Sequence, residues 1–301
     1  MTTTENNYHN LLDDWIAGFV DGDGCFSILR DTDKSKVRHR FIVSQDKSSV
    51  DVLYAFKKRF GCGTVQKQGG NMMCYQVGDR KSLQEIVVPF FLNNPLQTRK
   101  RHDFYFFAVS LTSTEKNVSL SFAKGNNEFL AKREAQLKKI EEDFVFSITS
   151  GWFAGFLDAD GSFVISIVKG YPRPQMLIGT IQENRDTLEA LQRFLGAGTL
   201  RSRKDGFVIF QVASVVQFHQ NVFPHLFFGE NKEDTEENSV LQEKLVSLSF
   251  SDCCCALATK KRFSAIFFKN VVEMILRKEH KTEIGLKKIY SLKQKLNKQI
   301  L

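Results

Sequence analysis

The chain is similar to itself, and no other feature constrains its fold as much. Asp23 falls on Asp160 at an offset of 137 residues, inside "GFVDGDGCFSI" (Gly18 to Ile28) and "GFLDADGSFVISI" (Gly155 to Ile167). Gln45 in "VSQDK" falls on Gln182 in "TIQEN" at the same offset, and "RFGCGTV" from Arg59 falls on "FLGAGTL" from Phe194 at 135. Pro89 in "VVPFF" then meets Pro224 in "VFPHL" at 135, whereas "LQTRKR" from Leu96 meets "LATKKR" from Leu257 at 161, so the second copy carries 26 extra residues. A unit repeated at this length must fold twice in the same way around two comparable cores. The expected organisation is a first repeat over 1–111, a linker over 112–149, and a second repeat over 150–301 with an insertion within 228–256.

Inside each copy the periodicity changes in the same order. Leu12, Ile16, Phe19 and Val20 are spaced for a helix over about Leu11 to Asp21, and its counterpart covers about Ser150 to Asp158. Strands follow. "CFSILR" sets Phe26 and Ile28 against Cys25, Ser27 and Leu29, and "RHRFIV" sets His39, Phe41 and Val43 against Arg38, Arg40 and Ile42. "TVQKQ" and "CYQV" read as a hairpin across Gly69, Gly70 and Asn71, with Gln66, Gln68, Cys74 and Gln76 on its polar face. The second copy repeats this as "SFVISIV", "QMLIGTI", "LRSRK" and "VIFQV". The expected fold is α+β: two pseudo-symmetric αββαββα halves, each an antiparallel saddle with helices on one face.

The connecting segments are also readable. Phe129, Leu130, Arg133, Leu137, Ile140 and Phe144 recur at helical spacing, which predicts a helix in the linker. The insertion opens on the acidic "FGENKEDTEENS" and is expected to begin as a solvent loop. Ile284, Ile289, Leu292, Leu296 and Ile300 share one face of an amphipathic C-terminal helix.

With helices on one side, each sheet keeps a free face, and its residue types are unusual for a wet surface. Arg pairs bidentately with guanine and Gln with adenine, and a β-ribbon enters the major groove. Candidates in the first copy are Ser27, Arg30, Arg38, Arg40, Gln66, Gln68 and Gln76. Those in the second are Ser166, Gln175, Arg201, Arg203 and Gln211. The charge agrees: 42 Lys and Arg against 34 Asp and Glu leave +8, which favours a polyanionic partner.

The paired aspartates carry the chemistry. Gly after "DGD" or "DAD" suits a left-handed helix cap, but a carboxylate beside a helix C-terminus meets like partial charge, at about 0.3 to 1 kcal/mol. Two copies of that cost call for a cation. An EF-hand loop fails, because its sixth position is Phe26 or Phe163 where Gly is required, and its twelfth is Thr32 or Lys169 where Glu is required. A site shared between two half-sites remains. Ala17 with Gly18, and Ala154 with Gly155, are small enough to let two helices approach closely and bring Asp23 beside Asp160. Few hard carboxylate oxygens, with room for water and phosphate, suit Mg²⁺.

"IAGFVDGDG" (Ile16 to Gly24) and "FAGFLDADG" (Phe153 to Gly161) resemble the LAGLIDADG motif of homing endonucleases, and two copies in one chain resemble its monomeric, pseudo-symmetric members. The resemblance implies a metal-dependent enzyme that makes a double-strand break, with short 3′ overhangs, in a long asymmetric DNA site and so promotes homing of its intron or other mobile element. Asp23 and Asp160 would ligate the metal, Mg²⁺ with Mn²⁺ or Ca²⁺ as substitutes, helped by the carbonyls of Gly22 and Ala159. Gln45 and Gln182 would be the polar residues around the reaction, and Lys100 and Lys261 the basic ones, with Lys232 the weaker choice for the second lysine. Asp21 and Asp158 would fix the helix ends.

The alternative within the same fold is an RNA-binding maturase, with intron RNA as partner; retention of both Asp23 and Asp160 favours cleavage. The N-terminus lacks a secretory pattern, and no run of 18 apolar residues predicts a membrane span. The six cysteines lack CxxC spacing, which suits neither zinc nor a disulfide framework. The 28 phenylalanines, with abundant Lys and Asn, hint at AT-rich coding DNA and an organelle, chloroplast or mitochondrion.

Overall fold

The computed structural model describes residues 12–30, 37–112, 144–227 and 255–298. The expected linker helix before Phe144, the insertion up to residue 254 with Lys232, and Ile300 of the expected C-terminal stripe lie outside these residues.

Each copy begins with a motif helix, α1 (Asp13–Asp23) or α5 (Ser150–Asp160), which runs straight into a strand. The first sheet holds β1 (Gly24–Arg30), β2 (Val37–Asp46), β3 (Thr64–Gly69) and β4 (Met72–Val77) in the antiparallel order β1-β2-β4-β3. The second holds β5 (Gly161–Val168), β6 (Tyr171–Ile181), β7 (Thr199–Ser202) and β8 (Phe207–Val212) in the order β5-β6-β8-β7. Between the hairpins lie α2 (Val50–Phe60) and α6 (Arg185–Leu195). Each ends on a glycine with positive φ, Gly61 at 64° and Gly196 at 60°, as left-handed caps require. Each half is therefore an antiparallel four-stranded sheet with helices packed on one side.

After the second hairpin the chain makes a π-helical stretch, Leu83–Val87 or Phe218–Val222, leading into α3 (Val88–Asn93) or α7 (Phe223–Leu226). Pro89 and Pro224 open these last helices; proline cannot donate the backbone bond that a continuous α-helix needs there. The halves are then completed by α4 (Lys100–Thr112), α8 (Lys261–Leu276) and α9 (Glu283–Lys298).

The first-half core is aromatic. Phe26 lies 5.2 to 5.4 Å from the rings of Phe41, Phe91, Phe104 and Phe107, offset and edge-on arrangements that add to burial. In α9, Ile289, Leu292 and Leu296 are buried, but Ile284 is 83% exposed, against the expected stripe. Gly285 takes the buried place, because an added Cβ there would stand 2.1 Å from the Glu279 carbonyl oxygen.

The motif helices meet each other, not merely their own sheets. Every residue from Trp15 to Asp21, and from Gly151 to Asp158, is buried, as expected of a helix enclosed by two domains. A Cβ on Gly18 would stand 2.0 Å from the Trp152 carbonyl oxygen, and one on Gly155 2.0 Å from that of Trp15. Only glycine lets each backbone lie against the other.

Both helices run two residues further than the sequence suggests, to Asp23 and Asp160. Their glycine caps are not left-handed: Gly24 and Gly161 are extended, with φ of −83° and −84°. Glycine is needed here for space, since a Cβ on Gly24 would lie 2.4 Å from a Val20 methyl and one on Gly161 2.2 Å from a Leu157 methyl.

Candidate active site at the junction of the two motif helices

Asp23 and Asp160 close the two motif helices side by side. A Cβ on Gly22 would stand 2.4 Å from that of Ala159 and 3.2 Å from the Asp160 carboxyl carbon. The junction presses two carboxylates together. Burial, and then the Asp23 charge, push Asp160 up to about 6. Burial also raises Asp23, which is held by Gln45, whose Nε2 donates to Asp23 Oδ2 at 2.5 Å.

The cations that answer these charges sit beneath the helix ends. Lys100 Nζ donates to the carbonyls of Val20 (2.9 Å) and Gly22 (2.7 Å). Lys261 Nζ donates to those of Leu157 (3.1 Å), Asp158 (2.7 Å) and Ala159 (3.1 Å). An ammonium on the last carbonyls of a helix meets its partial negative charge. The Val20 and Leu157 carbonyls also accept from the N–H of Gly24 and Gly161, while those of Gly22, Asp158 and Ala159 are past the last intrahelical bonds. Burial lowers both lysines, and the nearby aspartates oppose the shift.

Asp21 and Asp158 are buried and turned to a different task. Asp21 accepts from Gln97 N (2.7 Å), Thr98 N (3.0 Å), Thr98 Oγ1 (2.5 Å) and Trp152 Nε1 (2.8 Å). Asp158 accepts from Ala258 N (2.6 Å), Thr259 N (2.9 Å) and Thr259 Oγ1. Each thus grips the turn that delivers the lysine of its own half. The cost at these helix ends is offset by N–H and hydroxyl donors together with the lysine, rather than by a cation alone.

One residue is displaced from its sequence assignment. Gly24 pairs with Val43 and Gly161 with Ile178, and the helical turn Lys47–Ser49 answers to Gln182–Asn184. The offset is therefore already 135 at β2, because the β1–β2 connection is longer than the tight β5–β6 hairpin. Thr180, not Gln182, stands where Gln45 stands. Its hydroxyl accepts from Asn184 Nδ2 at 2.9 Å, whereas Gln182 bonds through its backbone N–H to the Gly206 carbonyl (2.8 Å). Among the described residues no amide reaches Asp160 as Gln45 reaches Asp23.

A second asymmetry crosses the interface. Asn184 Oδ1 accepts from Arg99 N (2.9 Å), Thr187 Oγ1 donates to the Gln97 carbonyl (2.8 Å), and Ser147 N donates to Gln97 Oε1 (2.9 Å). In the reciprocal places stand Ser49, Val52 and Ala258, and the buried Trp15 Nε1 is unpartnered where Trp152 Nε1 bonds Asp21. Gln97, Asn184 and Thr187 escaped sequence reasoning because their function is a contact between copies, which comparing the copies in sequence does not reveal.

Most base-reading candidates line the free faces. Ser27 pairs with Arg40, Leu29 with Arg38, Ile42 with Gln76, and Cys74 with Gln66. In the second sheet Ser166 pairs with Arg173, Val164 with Gln175, Leu177 with Gln211, and Arg201 with Ile209. Three candidates depart from regular alternation or description. Gln68 falls at a register shift between Lys67 and Gly69, so alternation does not fix its face. Arg203 lies past β7 and is ion-paired to Asp205 at 2.6 Å. Arg30 closes β1, its side chain outside the described part. Arg173 was missed although it lies two residues before Gln175 on the same face. Arg80 donates from Nη2 to the Leu111 carbonyl (2.5 Å) and, with Arg38, His39, Arg40 and Gln76, lines a cavity of about 350 Å³ where β2 begins and β4 ends.

The sequence profile described as LAGLIDADG endonuclease matches residues 16–111 and 153–228, more than half of the chain and both copies. The chain belongs to the LAGLIDADG endonuclease family. Among curated proteins, it is 31% identical over half its length to "Probable intron-encoded endonuclease Cox1-I1b" of Schizosaccharomyces pombe, spanning 41% of that protein. It is 30% identical over 51% of its length to "Probable intron-encoded endonuclease 4" of Neurospora crassa, spanning 24% of it. The chain thus covers less than half of either relative. Among solved LAGLIDADG structures it superposes on I-SmaMI bound to an uncleaved DNA target in the presence of calcium ions, with a TM-score of 0.72 at 20% identity, covering 95% of this chain and 99% of the other. That likeness shows the shared two-half fold.

Proposed function

We propose that the chain is a monomeric, site-specific DNA endonuclease that cuts both strands of a long asymmetric target and so promotes homing of the intron or other element that encodes it. The observation that carries this reading is the junction of α1 and α5. Two like-charged carboxylates are held together above two half-buried lysines, between two sheets whose free faces carry Arg and Gln. An RNA-binding splicing factor gains nothing from that electrostatic strain. The same reading divides the chain into repeats 1–111 and 150–301, joined by 112–149.

Asp23 and Asp160 fit a divalent cation, since a cation offsets both the burial and the neighbouring Asp23 charge that raise Asp160. Mg²⁺ matches hard carboxylate donors that leave room for water and phosphate, and Mn²⁺ and Ca²⁺ suit the same oxygens. The carbonyls of Gly22 and Ala159 would add donors while shared with the lysines. When bound, such an ion supplies an activated water and stabilises the departing 3′ oxygen.

The chain's own residues prepare this chemistry. Gln45 fixes one oxygen of Asp23. Lys100 and Lys261 hold the helix ends in place and set positive charge below the phosphate, where charge develops as the bond breaks. Asp21 and Asp158 keep those lysines in position through the two gripped turns. The non-identical sheets would read non-identical half-sites, with Arg and Gln bonding base edges.

The relatives' names, which include "intron-encoded" and "Cox1-I1b", support an intron-borne gene and an organelle as its compartment. Incubation with a plasmid carrying the intron-free insertion site and Mg²⁺ tests the proposal. One linear product with short 3′ overhangs at one site is expected, and an uncut plasmid under Mg²⁺ and Mn²⁺ would overturn it.

A further inference from the structure

The free faces of the two sheets differ most beside the carboxylate junction. In the second sheet Leu177, Gly179 and Ile181 succeed one another on the outer side of β6, facing Gln211, Ile209 and Phe207 of β8. Ile181 is 45% and Phe207 43% exposed, and Leu177 and Ile209 are half-buried. A Cβ built on Gly179 would meet nothing within 4 Å. The result is a shallow apolar notch, floored by the Gly179 backbone and walled by Leu177, Ile181 and Ile209, with Phe207 at its end. At the same places the first sheet has Ile42, Ser44 and Asp46 facing Gln76, Cys74 and Met72.

Large apolar side chains on an open sheet face weaken solubility unless something covers them. The neighbouring residues show what kind of partner fits. Arg201 of β7 faces Ile209 of β8, Arg203 lies just past β7 with Asp205 beside it, and Arg173 stands further along β6, so the notch is flanked by cationic side chains. An apolar protein partner would leave the guanidiniums of Arg201 and Arg173 desolvated and without a counter-charge, whereas Arg203 has its own in Asp205. A duplex pairs them with phosphates and base edges, and the apolar group it offers in the major groove is the thymine C5-methyl. The opening over Gly179 has the size and character for such a group.

We infer that the second half reads thymine methyl groups through Leu177, Ile181, Phe207 and Ile209, at the base pairs next to the cleavage positions. The position follows from Thr180, between Gly179 and Ile181, which occupies the place where Gln45 touches Asp23 in the other half. The first half offers Ser44 and the exposed Asp46 at the corresponding pairs, with Cys74 buried beneath them, and so reads them by hydrogen bonds. This inference rests on the DNA-binding part of the function proposed above and is independent of cleavage.

The test uses the full chain with Ca²⁺ and a duplex library randomised along its length. Bound duplexes are expected to share thymines at two or three inner positions of one half-site. Replacing each by deoxyuridine, which removes only the methyl, should weaken binding by roughly fourfold, the factor for one buried methyl-sized group. The Ile209→Ser variant should lose the preference at one such position while binding the deoxyuridine duplex as the unaltered chain does. That marks the half-site as belonging to the second sheet. Inner positions without thymine, or thymines whose methyls can be removed without effect, would overturn the inference. A chain that enriches no sequence overturns it together with the DNA-binding reading. A chain that shows the methyl dependence but cuts no DNA leaves it standing and overturns the nuclease reading alone.

Discussion

Removing one of the paired charges should make the metal-free protein more stable while making it useless as an enzyme. The perturbation is Asp160→Asn. Asp160 is pushed from its ordinary 3.8 up to about 6 by burial and by Asp23, which corresponds to about 3 kcal/mol of unfavourable ionisation at 1.36 kcal/mol per pH unit. Asp160 keeps an exposed edge, so solvent screening reduces this to on the order of 1 kcal/mol. The sign follows from proton binding. Below about pH 4 the carboxyl is protonated in both states, and its contribution to stability is intact. As pH rises from there through 6, the unfolded chain releases the proton first, and the native state loses that stability. The carboxamide that replaces Asp160 has no such proton to lose. In EDTA at pH 7.5 the variant should therefore melt about 2 to 4 °C above the unaltered protein, and the gap should close toward pH 4. Adding Mg²⁺ should raise the melting temperature of the unaltered protein and leave the variant nearly unmoved. A variant that melts lower at pH 7.5 without metal would refute the claim that the junction holds two carboxylates in mutual strain.

Other consequences follow from the same interface. Gly18→Ala puts a methyl 2.0 Å from the Trp152 carbonyl oxygen; the helices cannot yield without parting, so a loss of at least about 1 to 3 kcal/mol is expected in urea titrations. A loss below about 0.5 kcal/mol, the size of an ordinary surface substitution, would mean that the helices are not in backbone contact. Trp152→Phe deletes a bond to Asp21, whereas Trp15→Phe deletes only an N–H that is buried without a partner. The first should cost more than the second by about 1 to 3 kcal/mol in paired denaturation curves; equal losses would contradict the asymmetry.

Much of this architecture was legible because the copies are recognisable. Periodicity gave both motif helices and all eight strands, and Gly18 with Gly155 pointed to a close helix pair. The pairing of Thr98 and Lys100 with Thr259 and Lys261 was visible across the insertion, although the grip of each threonine on the preceding motif's aspartate was not. Sequence similarity misled at Gln182. "VSQDK" and "TIQEN" align glutamine on glutamine, while the hydrogen-bond register aligns Gln45 on Thr180, because the length difference lies in a hairpin connection that similarity alone does not locate. The helix ends were placed too early because aspartate and glycine read as a turn, and the lysines that satisfy those last carbonyls come from about 80 and 100 residues away in the chain. Gln97, Asn184 and Thr187 gave no signal, since their polar groups find partners only once two dissimilar surfaces meet.

The measurement that bears most directly on the central claim is the separation of binding from cutting by Asp23→Asn. On one duplex carrying the insertion site, with each strand end-labelled, the unaltered chain with Mg²⁺ should cut both strands. The variant should bind within a factor of a few of the unaltered Kd and cut neither strand at a measurable rate. Undiminished cutting by the variant would contradict the assignment of the reaction to the junction of the two motif helices.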